Sequence, residues 1–279
     1  MSPRLLLAGV LVLLLAATSC STGPTPPQPG TPGFYWGAAR ETWRAGDILK
    51  TNDNLQELTD NQTEFTGRAR AWEVVSLAGT VRGLAELADA YEAGARANRN
   101  NPTPFRKQVY TLRQLAASTS LALTETVHGF LEQEKDPQTA LDFDYAVGSA
   151  QEPPGVKKIY DGMILQDAEA DSLQTAMLQR GVLLTLCDFV NAPDDPAKTL
   201  EVFNAGNVKV PREVFLLAAA RALHKASDLY VPTRLDNPVK LKALCQQALD
   251  ALNAIPQTKD TKALADKIQT ALKKVKTTT

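Results

Sequence analysis

The chain has 279 residues, with 30 Lys and Arg against 31 Asp and Glu, a net charge of −1. That balance, without any block of cations interleaved with aromatics, argues against a nucleic-acid partner. The chain contains three cysteines and two histidines.

The first element is MSPRLLLAGVLVLLLAATSC. Arg4 is its only charge, and Leu5 to Ala17 is an unbroken run of apolar or small residues. A helix that spans a bilayer core needs about 20 such residues, so this shorter run reads as a secretory signal that is removed. Its end, Ala17-Thr18-Ser19-Cys20, resembles the lipobox of bacterial lipoproteins, with Ala17 where Leu is usual. The resemblance implies cleavage of residues 1–19, a diacylglycerol on the sulfur of Cys20 and an acyl chain, typically palmitate, on its new amine. It also implies attachment to the bilayer of a bacterial cell envelope. Ser21 resembles the sorting signal for the outer membrane, which would leave the body facing the periplasm. The alternative is an ordinary secreted protein in which Cys20 is incidental.

Residues 20–33 carry the lipidated Cys and the segment STGPTPPQPGTPG, five of whose residues are Pro and three Gly. Proline removes backbone donors and favours extended conformations, so this is a tether. Removal of Arg4 with the signal leaves a mature net charge of −2 on 260 residues.

Beyond Gly33, helical spacing of Ala and Leu dominates and strict alternation is scarce. The expected helices cover 34–45, 47–60, 63–98 and 105–133, which form a first half over 34–140. Gly46-Asp47 marks a turn, and NRNNPTP at 98–104 is a break. Gly79 and Gly83, four residues apart, remove bulk from one face and predict close approach of a neighbouring helix, or a bend. Residues 141–155 (LDFDYAVGSAQEPPG) are the least helical and form an irregular connector, a loop or a short strand. The second half, 156–279, has expected helices at 156–165, 167–190, 196–204, 211–229, 238–255 and 258–275. Asp195-Pro196 and Asn237-Pro238 place a capping side chain before a proline at the first helical position.

The fold class is all-α. Two stretches resemble tetratricopeptide repeats. In YWGAARETWRAGDILKTNDNLQEL an aromatic helix ends at Gly46-Asp47, and Leu55 and Leu58 fall where the second helix packs. In LKALCQQALDALNAIP, Ala248, Ala251 and Pro256 fit the end of a second helix. The resemblance implies an α-solenoid of helix-turn-helix pairs. No repeat period runs through the chain, and a non-repeating helical bundle is the alternative.

The search for chemistry returns little. Glu125 and His128 share a helix face, but the second E-x-x-H that a di-iron site needs is missing, and no metal or other cofactor is expected beyond the lipid on Cys20. Asp142 and Asp144 begin like a calcium loop, yet Ala146 and Val147 occupy its next oxygen and Gly positions, so they read as solvated carboxylates. Asp167, Glu169 and Asp171 suit a helix N-terminus. Cys187 and Cys245 could pair, closing a loop worth roughly 4 kcal/mol, or remain buried free thiols. No nucleophile, phosphate-binding or dinucleotide-binding motif is present. Glu64, Glu86 and Glu125 lack the Glu-Ser context of the helical lytic transglycosylases. Phe34, Tyr35, Trp36, Trp43 and Trp72 concentrate aromatics near the front. They are either core or a binding patch for a sugar, peptide or lipid.

The resulting expectation is a non-enzymatic, lipid-anchored helical scaffold that holds an envelope protein or peptide. The alternative is a ligand-capturing lipoprotein, similar in build to the helical lipoproteins associated with TRAP transporters, for which a small ligand would be the partner.

Overall fold

Capping chemistry divides the chain into its helices. A computed structural model describes residues 27–144 and 148–276; the signal, Cys20 and the tether before Pro27 lie outside the described residues. Helix α1 is Pro32–Ala45. The Thr31 hydroxyl oxygen accepts from the amide of Phe34, and Pro32 stands in the first turn, so the helix begins inside the expected tether. Gly46 ends it in the left-handed region at φ 74°, where glycine carries no Cβ penalty. The next residue, Asp47, caps α2 (Ile48–Asp60) by accepting from Lys50 N at 3.2 Å.

Helices α3 (Thr66–Ala97) and α4 (Thr103–Gln133) are the long elements. Strand β1 (Gln138–Leu141) follows, then α5 (Pro154–Tyr160) and α6 (Asp167–Phe189). Next come α7 (Pro196–Asn204), strand β2 (Val208–Pro211) and α8 (Arg212–Ser227). One 3-10 turn (Asp228–Tyr230) leads to α9 (Pro238–Asn253) and α10 (Lys259–Lys276). Asp195 and Asn237 cap α7 and α9, accepting from Lys198 N at 3.0 Å and Lys240 N at 3.1 Å. Helix α5 stops several residues before its expected end, because the chain turns at Gly162, φ 76°, whose carbonyl accepts from Asn98 Nδ2 at 3.0 Å.

The fold is all-α, its described residues adding a single two-stranded antiparallel ribbon. Gln138 pairs with Pro211 and Leu141 with Val208. Strand β2 lies between the helices expected at 196–204 and 211–229, overlapping the first residue of the second, and β1 ends on the first residue of the expected connector.

Helix α3 is the axis. It packs against α2, α4, α5, α6, α8 and β1, and the two halves of the chain share one buried core. A unit of a solenoid touches only its neighbours, so the contacts of α3 follow the bundle alternative. Consecutive stacking holds in two stretches, from α1 to α4 and from α8 to α10.

At the α3–α6 crossing the glycines let backbone approach backbone. A Cβ on Gly83 would lie 2.4 Å from Met177 O, and one on Gly79 would lie 2.5 Å from Val182 Cα. From the other side, a Cβ on Gly181 would meet Gly79 O at 2.4 Å. The expected close approach is therefore real, and its third member is Gly181. Arg82 Nη1 donates to Leu184 O at 3.0 Å beside the crossing, and Arg180 pairs with Glu86.

Candidate functional site

The aromatic residues are not a surface patch. Trp36, Trp43 and Trp72 are 8%, 1% and 0% exposed. Trp43 and Trp72 meet edge to face at 4.8 Å, and Trp36 stacks on Phe65 at 5.3 Å. Only Phe34, at the margin of α1, reaches the surface, with Tyr35 half-buried against it. Large apolar rings at helical spacing are drawn into the core by the area they remove from water. The reading of Phe34, Tyr35, Trp36, Trp43 and Trp72 as one binding face is thereby corrected for the three tryptophans, which are core.

The connector closes this cluster. Phe143 stacks on Trp72 at 4.6 Å and touches Trp36 at 5.0 Å. On one side of it Asp142 accepts from Arg68 at 2.9 Å and from Trp72 Nε1 at 3.3 Å. On the other, Asp144 accepts from Arg44 at 2.6 Å. The arginines hold the Asp144 carboxyl below the usual carboxylate range. The two aspartates expected to be merely solvated are thus ion-paired clips on an aromatic plug.

Cys187 and Cys245 are both free and buried. The thiol of Cys187 donates to Leu183 O at 3.3 Å, and that of Cys245 lies 3.6 Å from Ser227 Oγ; no bond joins them. Burial pushes both thiols up, away from the thiolate that a nucleophile needs. Glu125 and His128 are exposed, and His128 Nε2 faces Glu132 at 3.3 Å rather than Glu125. Asp167 and Glu169 occupy the first turn of α6, where Glu169 pairs with Lys158. Among the described residues, no group of three His, Cys, Asp or Glu is placed to hold a metal ion.

An open surface cleft lies on α8. Arg221, His224 and Lys225, at i, i+3 and i+4, share a face of this Ala-rich helix. Lys267 of α10 adds a fourth basic group across a cleft of about 510 Å³ that Asp228 and Asp260 also line. Arg221 and Lys225 also border a second cleft of about 190 Å³ between α3, α6 and α8. Its floor is apolar and small: Ala78, Val81 and Ala85 from α3, Ala218 and Ala222 from α8.

Among the described residues, no side chain forms an ion pair within 4 Å of Arg221, Lys225 or Lys267. Desolvation, followed by the charge of Arg82, holds Lys225 below the ordinary lysine value. Burial lowers His224, and its Nδ1 is buried with no protein hydrogen-bond partner. The ring is therefore neutral at neutral pH. Across the second cleft, burial raises Asp188 while Arg82 and Arg221 draw it down. The groove can accept an anionic group against a shallow apolar floor. Reading the sequence missed this face, although the i, i+3, i+4 spacing of basic residues was its signal.

No helix among the described residues is long and apolar enough to cross a membrane. No family model matches the chain, and no curated protein or solved structure is significantly similar to it.

Proposed function

We propose that the chain is a lipid-anchored protein of the bacterial cell envelope, attached through Cys20 to the outer membrane and facing the periplasm. Its helical body is a non-catalytic docking module for an acidic segment of an envelope protein or peptide. The observation that carries the docking role is the α8 groove, where Arg221 and Lys225, without ion-pair partners among the described residues, border an apolar floor and Lys267 lies across the adjoining cleft. Basic groups that repel one another on a folded surface are relieved by an anionic partner, which also steers its approach. The anchor rests on Ala17-Thr18-Ser19-Cys20 and the proline-rich spacer, and two or three acyl chains suffice for stable attachment. The ligand-capturing alternative calls for an enclosed apolar chamber, whereas both clefts at α8 open to solvent.

Two measurements test this. Metabolic labelling with palmitate should mark the protein and be lost in Cys20→Ala; an unlabelled wild-type chain ends the anchor. Fluorescence anisotropy with an acidic amphipathic peptide should show salt-sensitive binding. The Arg221→Glu, Lys225→Glu double variant should weaken it about tenfold or more. Equal affinity in the variant removes the groove from the proposal.

A further inference from the structure

A second polar site, lined by none of the residues of the α8 groove, centres on Glu73. This residue follows Trp72 in the first third of α3 and is 5% exposed. Its neighbours in sequence, Trp72, Val74 and Val75, are fully buried. An ionised carboxylate in such a place is costly unless it is paired. Yet Glu73 Oε2 is buried with no protein hydrogen-bond partner, the nearby Thr59 and Thr126 hydroxyls donating instead to Gln56 O at 3.1 Å and Ala122 O at 2.9 Å. The nearest cation, Arg70, is itself 5% exposed and committed to Glu134 at 3.1 Å. Gly129 leaves room for that arginine, since a Cβ there would sit 3.2 Å from Arg70 Nε.

Glu73 lines a polar cleft of about 150 Å³. Thr59 and Asp60 at the end of α2 form one wall, Arg70 and Glu73 of α3 the floor, and Glu125 and Thr126 of α4 the other wall. Three carboxylates thus face the cleft against one guanidinium that Glu134 already neutralises. The space suits a cation. A divalent metal ion would require several oxygens at about 2.0–2.6 Å, and no such group is placed for it among the described residues. An ammonium makes longer bonds, of about 2.8 Å, and has three donors for a carboxylate and two hydroxyls. The volume equals that of about five waters, which admits a short alkyl chain and excludes a nucleotide or a disaccharide.

We infer that this cleft is a recognition pocket for a primary alkylammonium group, with Glu73 Oε2 as its anchor and Thr59 and Thr126 as hydroxyl partners. Asp60 and Glu125 at the rim draw the cation in. The same chemistry is offered by a free aliphatic diamine and by a lysine side chain of a partner protein.

The proton balance follows from the surroundings. Burial pushes the Glu73 carboxyl up to about 7, with Asp60 adding to the rise and Thr59, Arg70 and Thr126 opposing it. An ammonium bound at neutral pH therefore releases a proton to buffer from that fraction of the Glu73 carboxyls that still holds one, and a Glu73–ammonium ion pair results.

Calorimetry on the full chain tests the pocket with 1,5-diaminopentane, N-acetyl-lysine methylamide and, as a neutral control, 1-pentanol. Saturable binding of at least one amine with proton release, absent for the alcohol, is the expected result. The diamine alone binding assigns a free polyamine; the capped lysine binding equally well assigns a protein side chain. Glu73→Gln should weaken binding about tenfold or more. A carbon-13 titration of the wild-type Glu73 carboxyl should show its midpoint falling when amine is added, a readout that does not depend on the variant folding. No saturable heat at about 10 mM amine, or a Glu73 midpoint that amine leaves in place, overturns the inference.

Discussion

Helix α3 meets its two long neighbours in opposite ways. Against α6, Gly79, Gly83 and Gly181 bring backbone onto backbone, and no atom can be added. Against α4, the same helix offers Arg70 and Glu73 to a polar cleft and leaves a carboxylate oxygen without a protein partner. The first seam gains dispersion contact and close packing by deleting side chains. The second retains polar groups at an energetic cost that the surrounding core must offset. A fold built around one axis can thus be rigid on one flank and chemically unfinished on the other.

Breaking the closed seam should produce the largest effect. Gly83→Val drives a side chain into the Met177 carbonyl, and overpacking against backbone should cost about 3 kcal/mol or more, read as a lower midpoint in urea. An unchanged midpoint would mean the helices do not approach this closely.

The open seam should respond with the other sign. Because Glu73 is raised in the folded chain from an ordinary 4.5 to about 7, the folded state holds its proton more tightly than the unfolded one. The benefit is complete below pH 4.5 and fades as pH rises through 7. Glu73→Gln should therefore be the more stable protein at pH 8, by at most roughly 3 kcal/mol, with a flatter stability profile between pH 4.5 and 7. A variant less stable than wild type at pH 8 contradicts the raised value.

Smaller effects sharpen the contrast at the front of α3. Asp142→Ala removes the partners of Arg68 and Trp72 Nε1 and should cost about 1–2 kcal/mol, with a shift in tryptophan emission. Asp144→Ala breaks only exposed ion pairs and should leave the midpoint where it is. Last, Cys187 and Cys245 should react with a thiol reagent only after denaturation, without prior reduction. Native-state labelling at either site would show that it is not buried as described.

Most helix boundaries were legible because caps and prolines are local signals. Asp195-Pro196 and Asn237-Pro238 announce α7 and α9 within the sequence itself. Gly79 and Gly83 were legible for a similar reason, since four-residue spacing is a statement about one helix face. The ribbon was not. A four-residue strand is too short to show alternation, and Val208 to Pro211 acquires its role only from Gln138 to Leu141 across the chain. Phe143 was hidden likewise, its ring belonging to a tryptophan cluster built from α1 and α3. In the stretch AWEVV a single Glu looks like a solvent-facing position. Only the packing of α2 and α4 around Glu73 makes it the site's centre. The cationic face of α8 needed α10 and the small residues of α3 to become a groove.

The ribbon has a temporal consequence. During synthesis β1 leaves the ribosome about 70 residues ahead of β2, so its backbone edge stays uncovered while α5, α6 and α7 are being made. Closing so long a loop carries an entropic cost that only the collected helices can meet. This clasp is therefore fastened only when α7 has turned the chain back, and a nascent chain stalled before that point would present a bare strand to any quality-control factor that patrols for one.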